Sequence, residues 1–231
     1  MNLLRKLKIR LIKSIRWNLE HENDIQISSD SFIHPSSKLI NARIKGNIKI
    51  GEGCKIFDIK ISSKSSVEIG RFTSIIGPNT DIYCAINKIK IGSFCSIARN
   101  VSFQEYNHKT DRLTSYFICQ NIFGDKLEND ITSKGDIEIG NDVWIGAQCV
   151  ILSGAKIGNG AVIAANSVVI GEIPPFAIAA GTPAKILKYR FNEEIIEKIE
   201  GMKWWEWQKD NFFKNKNLFL KKFVNIGDLL K

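Results

Sequence analysis

The sequence has no hydrophobic run approaching the roughly 20 residues that a bilayer-crossing helix requires, so a helical membrane span is excluded. Its first twenty residues also lack the uncharged apolar core of about 7–15 residues that marks a secretory signal. Arg5, Lys6, Lys8, Arg10, Lys13 and Arg16 interrupt any such stretch. Cysteines are few: Cys54, Cys84, Cys95, Cys119 and Cys149 form no Cys-x-x-Cys pair and are odd in number. That argues against a disulfide framework or a zinc ribbon, and a reducing cytoplasm is the expected location. Histidine is scarcer still, with His21, His34 and His108 widely separated. The centre of the chain lacks net charge. Of the formal +9, residues 1–20 hold +5 and residues 181–231 hold +4, which leaves 21–180 neutral. A nucleic-acid-binding domain carries its positive charge on the folded body, so no nucleic-acid partner is expected. Basic ends point instead to a local anion site or a membrane contact.

What is present is ordinary for a globular chain of 231 residues, 44% hydrophobic and 25% charged, a balance that disordered chains do not have. A repeat organises it. Ile139, Ile145, Ile151, Ile157, Ile163 and Val169 recur every six residues. Four residues after each stand Val143, Cys149, Ala155, Ala161, Ser167 and Ile173, mostly small. A period of six fits neither a helix nor a plain two-residue alternation. It fits short strands joined by tight turns that coil into a parallel β-helix, one aliphatic side chain per turn pointing inward. Ile69, Ile75, Ile91 and Ile97 keep the phase earlier, with Thr73, Cys95 and Val101 at the small position. Ile50 and Ile56, with Cys54 between them, form another run, and Ile33 and Leu39 start the series. Cys54, Cys95 and Cys149 are therefore expected inside the coil as small apolar filler.

The phase breaks over about 103–135, and insertions in repeat proteins leave the body as loops that often carry function. This loop holds His108 within Asn107-His108-Lys109-Thr110-Asp111. An imidazole can take a proton from a hydroxyl at neutral pH, and Asn107 and Asp111 are close enough in sequence to orient its ring. Tyr83 and Tyr106 are candidate contacts for a bound substrate. His21 and His34 read as structural or solvated residues.

The hexads resemble those of the hexapeptide-repeat acyltransferases, over roughly residues 25–190. That resemblance implies an all-β solenoid, a left-handed parallel β-helix of triangular section with about 18 residues per coil. The chain then divides into a basic amphipathic segment 1–24, the β-helix 25–190 and a C-terminal helical extension 191–231. The two ends are the segments available to cap the open coils. Tyr106-Asn-His-Lys-Thr-Asp111 with Ser115-Tyr-Phe117 resembles the active-site loop of the xenobiotic acetyltransferase branch, which includes polysaccharide O-acetyltransferases. The match makes His108 the general base. Drug-modifying members usually carry a proline before the phenylalanine, which Tyr116-Phe117 lacks.

Asp142-Val-Trp144-Ile-Gly146-Ala147 is similar to the branch's coenzyme A groove, with Trp144 beside the thiol end and the turns at Ala147 and Ala165 along the pantetheine arm. Ala180-Gly-Thr-Pro-Ala-Lys185-Ile-Leu-Lys188 is similar to its end-of-helix motif, which sets Lys185 and Lys188 near the adenosine phosphates. Trp204, Trp205 and Trp207 resemble the branch's tryptophan cluster and read as packing residues. Asn192-Glu-Glu has the form of a helix start.

The resemblance implies direct transfer of an acetyl group from acetyl-CoA to a hydroxyl, without a metal, in a homotrimer whose active sites lie between subunits. A sugar or surface-polysaccharide precursor is the leading acceptor, an antibiotic of the chloramphenicol or streptogramin type the alternative. A γ-class carbonic anhydrase shares the solenoid, but three scattered histidines do not make its zinc site. A non-catalytic scaffold would need none of His108, the Trp144 groove and the lysines together. At the N-terminus, Leu4, Leu7, Leu11 and Ile15 share one side of a potential helix, with Lys6, Lys13 and Arg16 largely elsewhere. Such a segment either lies on an anionic membrane, with Trp17 as anchor, or caps the solenoid.

Overall fold

A computed structural model describes residues 25–223 together with Gly227. The chain coils into a three-sided parallel β-solenoid, and each side carries one inward column of aliphatic residues. The first column stacks Ile33, Ile50, Ile69, Ile91, Ile139, Ile157 and Ile173 in register. The second stacks Leu39, Ile56, Ile75, Ile97, Ile145, Ile163 and Ala179. The third stacks Ile27, Ile44, Ile61, Ile82, Phe103, Ile151 and Val169. Beyond the first coil every one of these is at most 4% exposed. Mostly isoleucines, stacked a strand spacing apart, they pack coil against coil.

The six-residue phase places most of this core, with three corrections. Ile173 belongs to the aliphatic column against Ile157 rather than to the small position. The corner before it, through Gly171 at φ +79°, is two residues shorter than those between Ile139 and Val169. Phe103 is not loop. It lies in the strand Ser102–Gln104, 2% exposed, stacked between Ile82 and Ile151. The excursion therefore starts after Gln104 and rejoins the solenoid at Ile137. Third, Ile44, Ile61 and Ile82 form a column that the phase misses, because the first coils turn on long strands with a register shift near Asp58.

Cys54, Cys95 and Cys149 sit inside the coil as expected, and Cys84 joins them. Burial pushes all four thiols up, that of Cys95 to about 12. They are poor nucleophiles, which leaves no buried thiol suited to carrying an acyl group.

One corner of the solenoid is built from left-handed residues: Gly53, Phe72, Phe94, Asp142, Gly160 and Phe176 all have φ between 55° and 66°. Glycine is needed where an aromatic ring lies directly above, since a Cβ on Gly53 would sit 2.4 Å from the Phe72 ring. The C-terminal extension packs along this corner. Just before it, the strand Lys185–Tyr189 pairs antiparallel with the last coil strand, Ala177–Ala180, and so covers that edge. Arg190 then bonds Asp142 at 2.9 Å and the Gly160 carbonyl at 2.7 Å. The helix Glu193–Met202 starts as its sequence predicts, the Asn192 side chain accepting from the Ile195 amide at 3.0 Å. It buries Ile195 and Ile199 against Phe176. Trp204 packs on Phe94, and Arg71 donates to the carbonyls of Trp205 and Trp207. Beyond the edge strand, the extension thus braces the side of the solenoid. The basic segment 1–24, with His21, lies outside the described residues.

Candidate active site

The excursion rises from the solenoid as a two-stranded hairpin, Asn107–His108 against Ile131–Thr132. It carries a short helix, Ile118–Asn121, and one turn of 3-10 helix, Leu127–Asn129. His108 is exposed. Its Nδ1 lies 2.7 Å from the Ser115 carbonyl oxygen. A carbonyl only accepts, so this bond assigns the proton to Nδ1 and leaves the Nε2 lone pair open. The Phe117 ring stacks flat on the imidazole, 4.1 Å between centroids and 7° between planes. Two restraints on one ring, one at its edge and one on its face, set its orientation.

The residues expected to orient it do not. The Asn107 amide donates to Ser153 Oγ at 3.3 Å, which ties the hairpin to the solenoid. Asp111 is exposed and makes no hydrogen bond to His108. His34 bonds Ser36 in the first coil, away from the hairpin.

Two carboxylates organise the base of the excursion, and neither stood out in the sequence. Glu105, 1% exposed, accepts from the amides of Ala85 and Asn87 and from the Asn87 side chain. Asp130, 4% exposed, accepts from the amides of Cys119 and Gln120. Tyr83 and Tyr106 meet edge to face beside Glu105, their centroids 6.1 Å apart. Burial pushes the Tyr106 hydroxyl up, with Tyr83 and Glu105 adding to it.

The second group of residues lies along the solenoid. Trp144, 57% exposed, is in register with Val162, which is in register with Ile178, and Ile178 faces Lys188 across the antiparallel edge. At about 4.8 Å per strand, this outward row spans roughly 14 Å. The turns at Ala147 and Ala165 stack one coil apart, the Asn166 amide donating to the Ala147 carbonyl at 2.9 Å. Gly146 is buried beneath them. A Cβ there would meet the Ala165 amide nitrogen at 2.6 Å, so glycine lets the coils stack. Lys185 and Lys188 are both exposed on the edge strand. Among the described residues, no hydrogen bond or ring contact joins this row to the His108 group.

Residues 136–171 match the family described as bacterial transferase hexapeptide (six repeats). Over 181 residues the chain is 36% identical to a chloramphenicol acetyltransferase of Morganella morganii, covering 75% of this chain and 82% of that protein. The chain belongs to the hexapeptide-repeat acetyltransferases. It is also 31% identical to the putative lipopolysaccharide biosynthesis O-acetyl transferase WbbJ of Escherichia coli K12, over 61% of this chain and 81% of that protein. The fold is that of AntD, an N-acyltransferase from Bacillus cereus solved with dTDP and 3-hydroxybutyryl-CoA. The TM-score is 0.56 at 19% identity, over 83% of this chain and 91% of that one. As a hexapeptide-repeat acetyltransferase the protein is an enzyme, and its solenoid is the left-handed β-helix of that family. The family match covers the stretch in which coils are most regular, and the longer strands of the earlier coils fall outside it.

Proposed function

We propose that this enzyme transfers an acetyl group from acetyl-CoA to a hydroxyl of a sugar or surface-polysaccharide precursor. The observation that carries this reading is the His108 ring, locked with Nε2 open on an exposed excursion. Nε2 takes the hydroxyl proton as the oxygen attacks the thioester carbonyl. The acetyl–oxygen bond forms, the carbon–sulfur bond breaks, and the imidazolium returns its proton to the leaving thiolate. The row from Trp144 to Lys188 suits the coenzyme, with the indole at the thiol end and Lys185 and Lys188 at the phosphates. The edge-on pair Tyr83–Tyr106 offers an aromatic wall with two hydroxyls, which suits a sugar. A second reading, an antibiotic acceptor, is supported by the identity to chloramphenicol acetyltransferase.

An acceptor screen with acetyl-CoA and free-thiol detection separates the two. Sugar nucleotides and glycosides are expected to release thiol, and chloramphenicol is not; release with chloramphenicol alone reverses the choice. In the same assay Lys188→Ala should raise the KM for acetyl-CoA more than for acetyl-dephospho-CoA. A charged hydrogen bond to phosphate contributes about 1.5–3 kcal/mol.

That no hydrogen bond or ring contact joins the His108 group to the Trp144 row within one chain fits a homotrimer in which they meet across subunits. Leu113, Ile122 and Phe123, 105%, 66% and 68% exposed on the excursion, supply apolar surface for a neighbour.

The reading extends to a cytoplasmic enzyme held at an anionic membrane by residues 1–20. The first coils carry exposed Lys38, Lys45, Lys49, Lys55 and Lys60, and exposed Ile25, Ile27 and Phe32. Each cation near such a surface adds about 1 kcal/mol. Full-length protein should pellet with phosphatidylserine vesicles and release at high salt, whereas a chain starting at Asn23 should stay soluble. Both staying soluble at low salt would instead make the segment a cap, and its deletion should then lower the melting temperature.

A further inference from the structure

Asp130 takes no part in the proposed reaction, yet its connections converge on His108. Its carboxylate accepts from the amide of Cys119 at 3.0 Å and from that of Gln120 at 2.8 Å. Its carbonyl accepts from the Lys109 amide at 3.1 Å. The first two bonds cap the helix Ile118–Asn121, a task that the residue at its own N-cap position, Phe117, has no side-chain acceptor to perform. The segment leading into that helix supplies both restraints on the imidazole, the Ser115 carbonyl at Nδ1 and the Phe117 ring on its face. The third bond ties down the residue next to His108. One buried carboxyl-bearing residue therefore joins the strand that carries the ring to the segment that orients it.

We propose that Asp130 is a positioning residue for His108: it holds Ser115 and Phe117 against the imidazole and so keeps the proton on Nδ1 and the lone pair on Nε2. Its catalytic meaning rests on the reading of His108 as general base. Removing the carboxylate leaves two amides at the helix start without their acceptor, and that segment must shift to find others. The ring then loses both its edge and its face restraint. A free imidazole exchanges its proton between the two nitrogens, and only one tautomer can accept at Nε2. The clamp operates at neutral pH. Burial works to raise the Asp130 pKa, but the Gln120 and Cys119 amides, the Cys119 thiol and Arg112 outweigh it, and the carboxyl is held below its ordinary value. A depressed carboxyl contributes its stability above the ordinary carboxylate range and loses it as pH falls through the folded value.

The test is imidazole 15N NMR on full-length, histidine-labelled protein, with His108→Gln assigning the His108 signals. In the wild type the neutral His108 ring is expected as a single Nδ1–H species. In Asp130→Ala it should become an exchange-averaged mixture, while the melting temperature of the solenoid holds. Asp130→Asn, which keeps an accepting oxygen for one of the two amides, should fall between them and serves if the alanine variant does not fold. An unaltered tautomer in the Asp130 variants overturns the role, as does a mixture already present in the wild type. Turnover of His108→Ala is measured beside these. Wild-type turnover there removes the base, and with it the catalytic meaning of the clamp. Lost turnover there, with an unaltered ring in the Asp130 variants, removes the clamp alone.

Discussion

Replacing His108 by alanine is expected to lower turnover by at least about 100-fold, the usual contribution of a general base, while folding and acetyl-CoA affinity persist. The ring is exposed and its contacts are confined to the excursion, so the columns of the solenoid do not feel its loss. What disappears locally is one hydrogen bond and one stacked ring pair, a loss of about 1–2 kcal/mol in the loop. Among the described residues no hydrogen bond or ring contact joins His108 to the Trp144 row, along which the coenzyme is proposed to lie. The signature is therefore a fall in kcat with the dissociation constant of acetyl-CoA, read by calorimetry, unchanged. Because Nε2 acts only on the hydroxyl proton, the loss should appear in kcat and kcat/KM alike. A turnover number equal to the wild type would assign the proton to another group. No buried cysteine offers itself as an acyl carrier, since burial holds Cys54, Cys84, Cys95 and Cys149 as thiols.

The second large effect is on stability. Phe103→Ala should cost about 3–5 kcal/mol, the range for emptying a buried aromatic site. For a chain of this size that corresponds to a fall of roughly 6–20 °C in melting temperature. Phe103 is 2% exposed and the largest member of its column, with Ile82 below and Ile151 above in parallel register. Neighbouring coils are pinned by backbone ladders on all three sides and cannot collapse into the space. Gln104 and Glu105 follow directly, and the Glu105 carboxylate holds the loop at Ala85–Asn87. The variant should therefore also lose activity below its melting point, as the base of the excursion loosens. Thermal unfolding followed by circular dichroism measures the first effect. A shift of less than about 2 °C would mean that the column closes over the gap, in conflict with close packing of the coils.

How much of this was legible in the sequence follows from which forces act locally. Between Ile139 and Val169 every coil turns its corners with the same number of residues, so the inward column shows as an unbroken six-residue phase, and the structure buries each member. Where corner lengths vary, the letters lose the phase. Ile44, Ile61 and Ile82 are stacked as closely as the rest, but they stand 17 and 21 residues apart and hide in long strands. Phe103 looked like the first residue of a loop because the phase stops after it. Only the parallel pairing with Ile82 and Ile151 makes it core.

The same division holds at the site. His108 could be singled out from the sequence because it is the one histidine of the excursion, and the fold does set it there with one nitrogen open. Its partners could not. Asn107 and Asp111 were the expected partners, whereas the ring is held by a backbone carbonyl, at Ser115, which no letter of the sequence marks. Glu105 and Asp130 are not marked by the sequence at all, since nothing in one dimension says which amides will lie around a carboxylate. The sequence by itself determined the solenoid, three of its four buried cysteines, the capped C-terminal helix and the position of the imidazole, because each follows from a local period or a local motif. Tertiary structure alone decided that the C-terminal helices brace one corner and that Asp130 meets Cys119 and Gln120. Those contacts arise when residues far apart, or on opposite arms of a loop, are brought together by burial and by the demand that every buried amide find an acceptor.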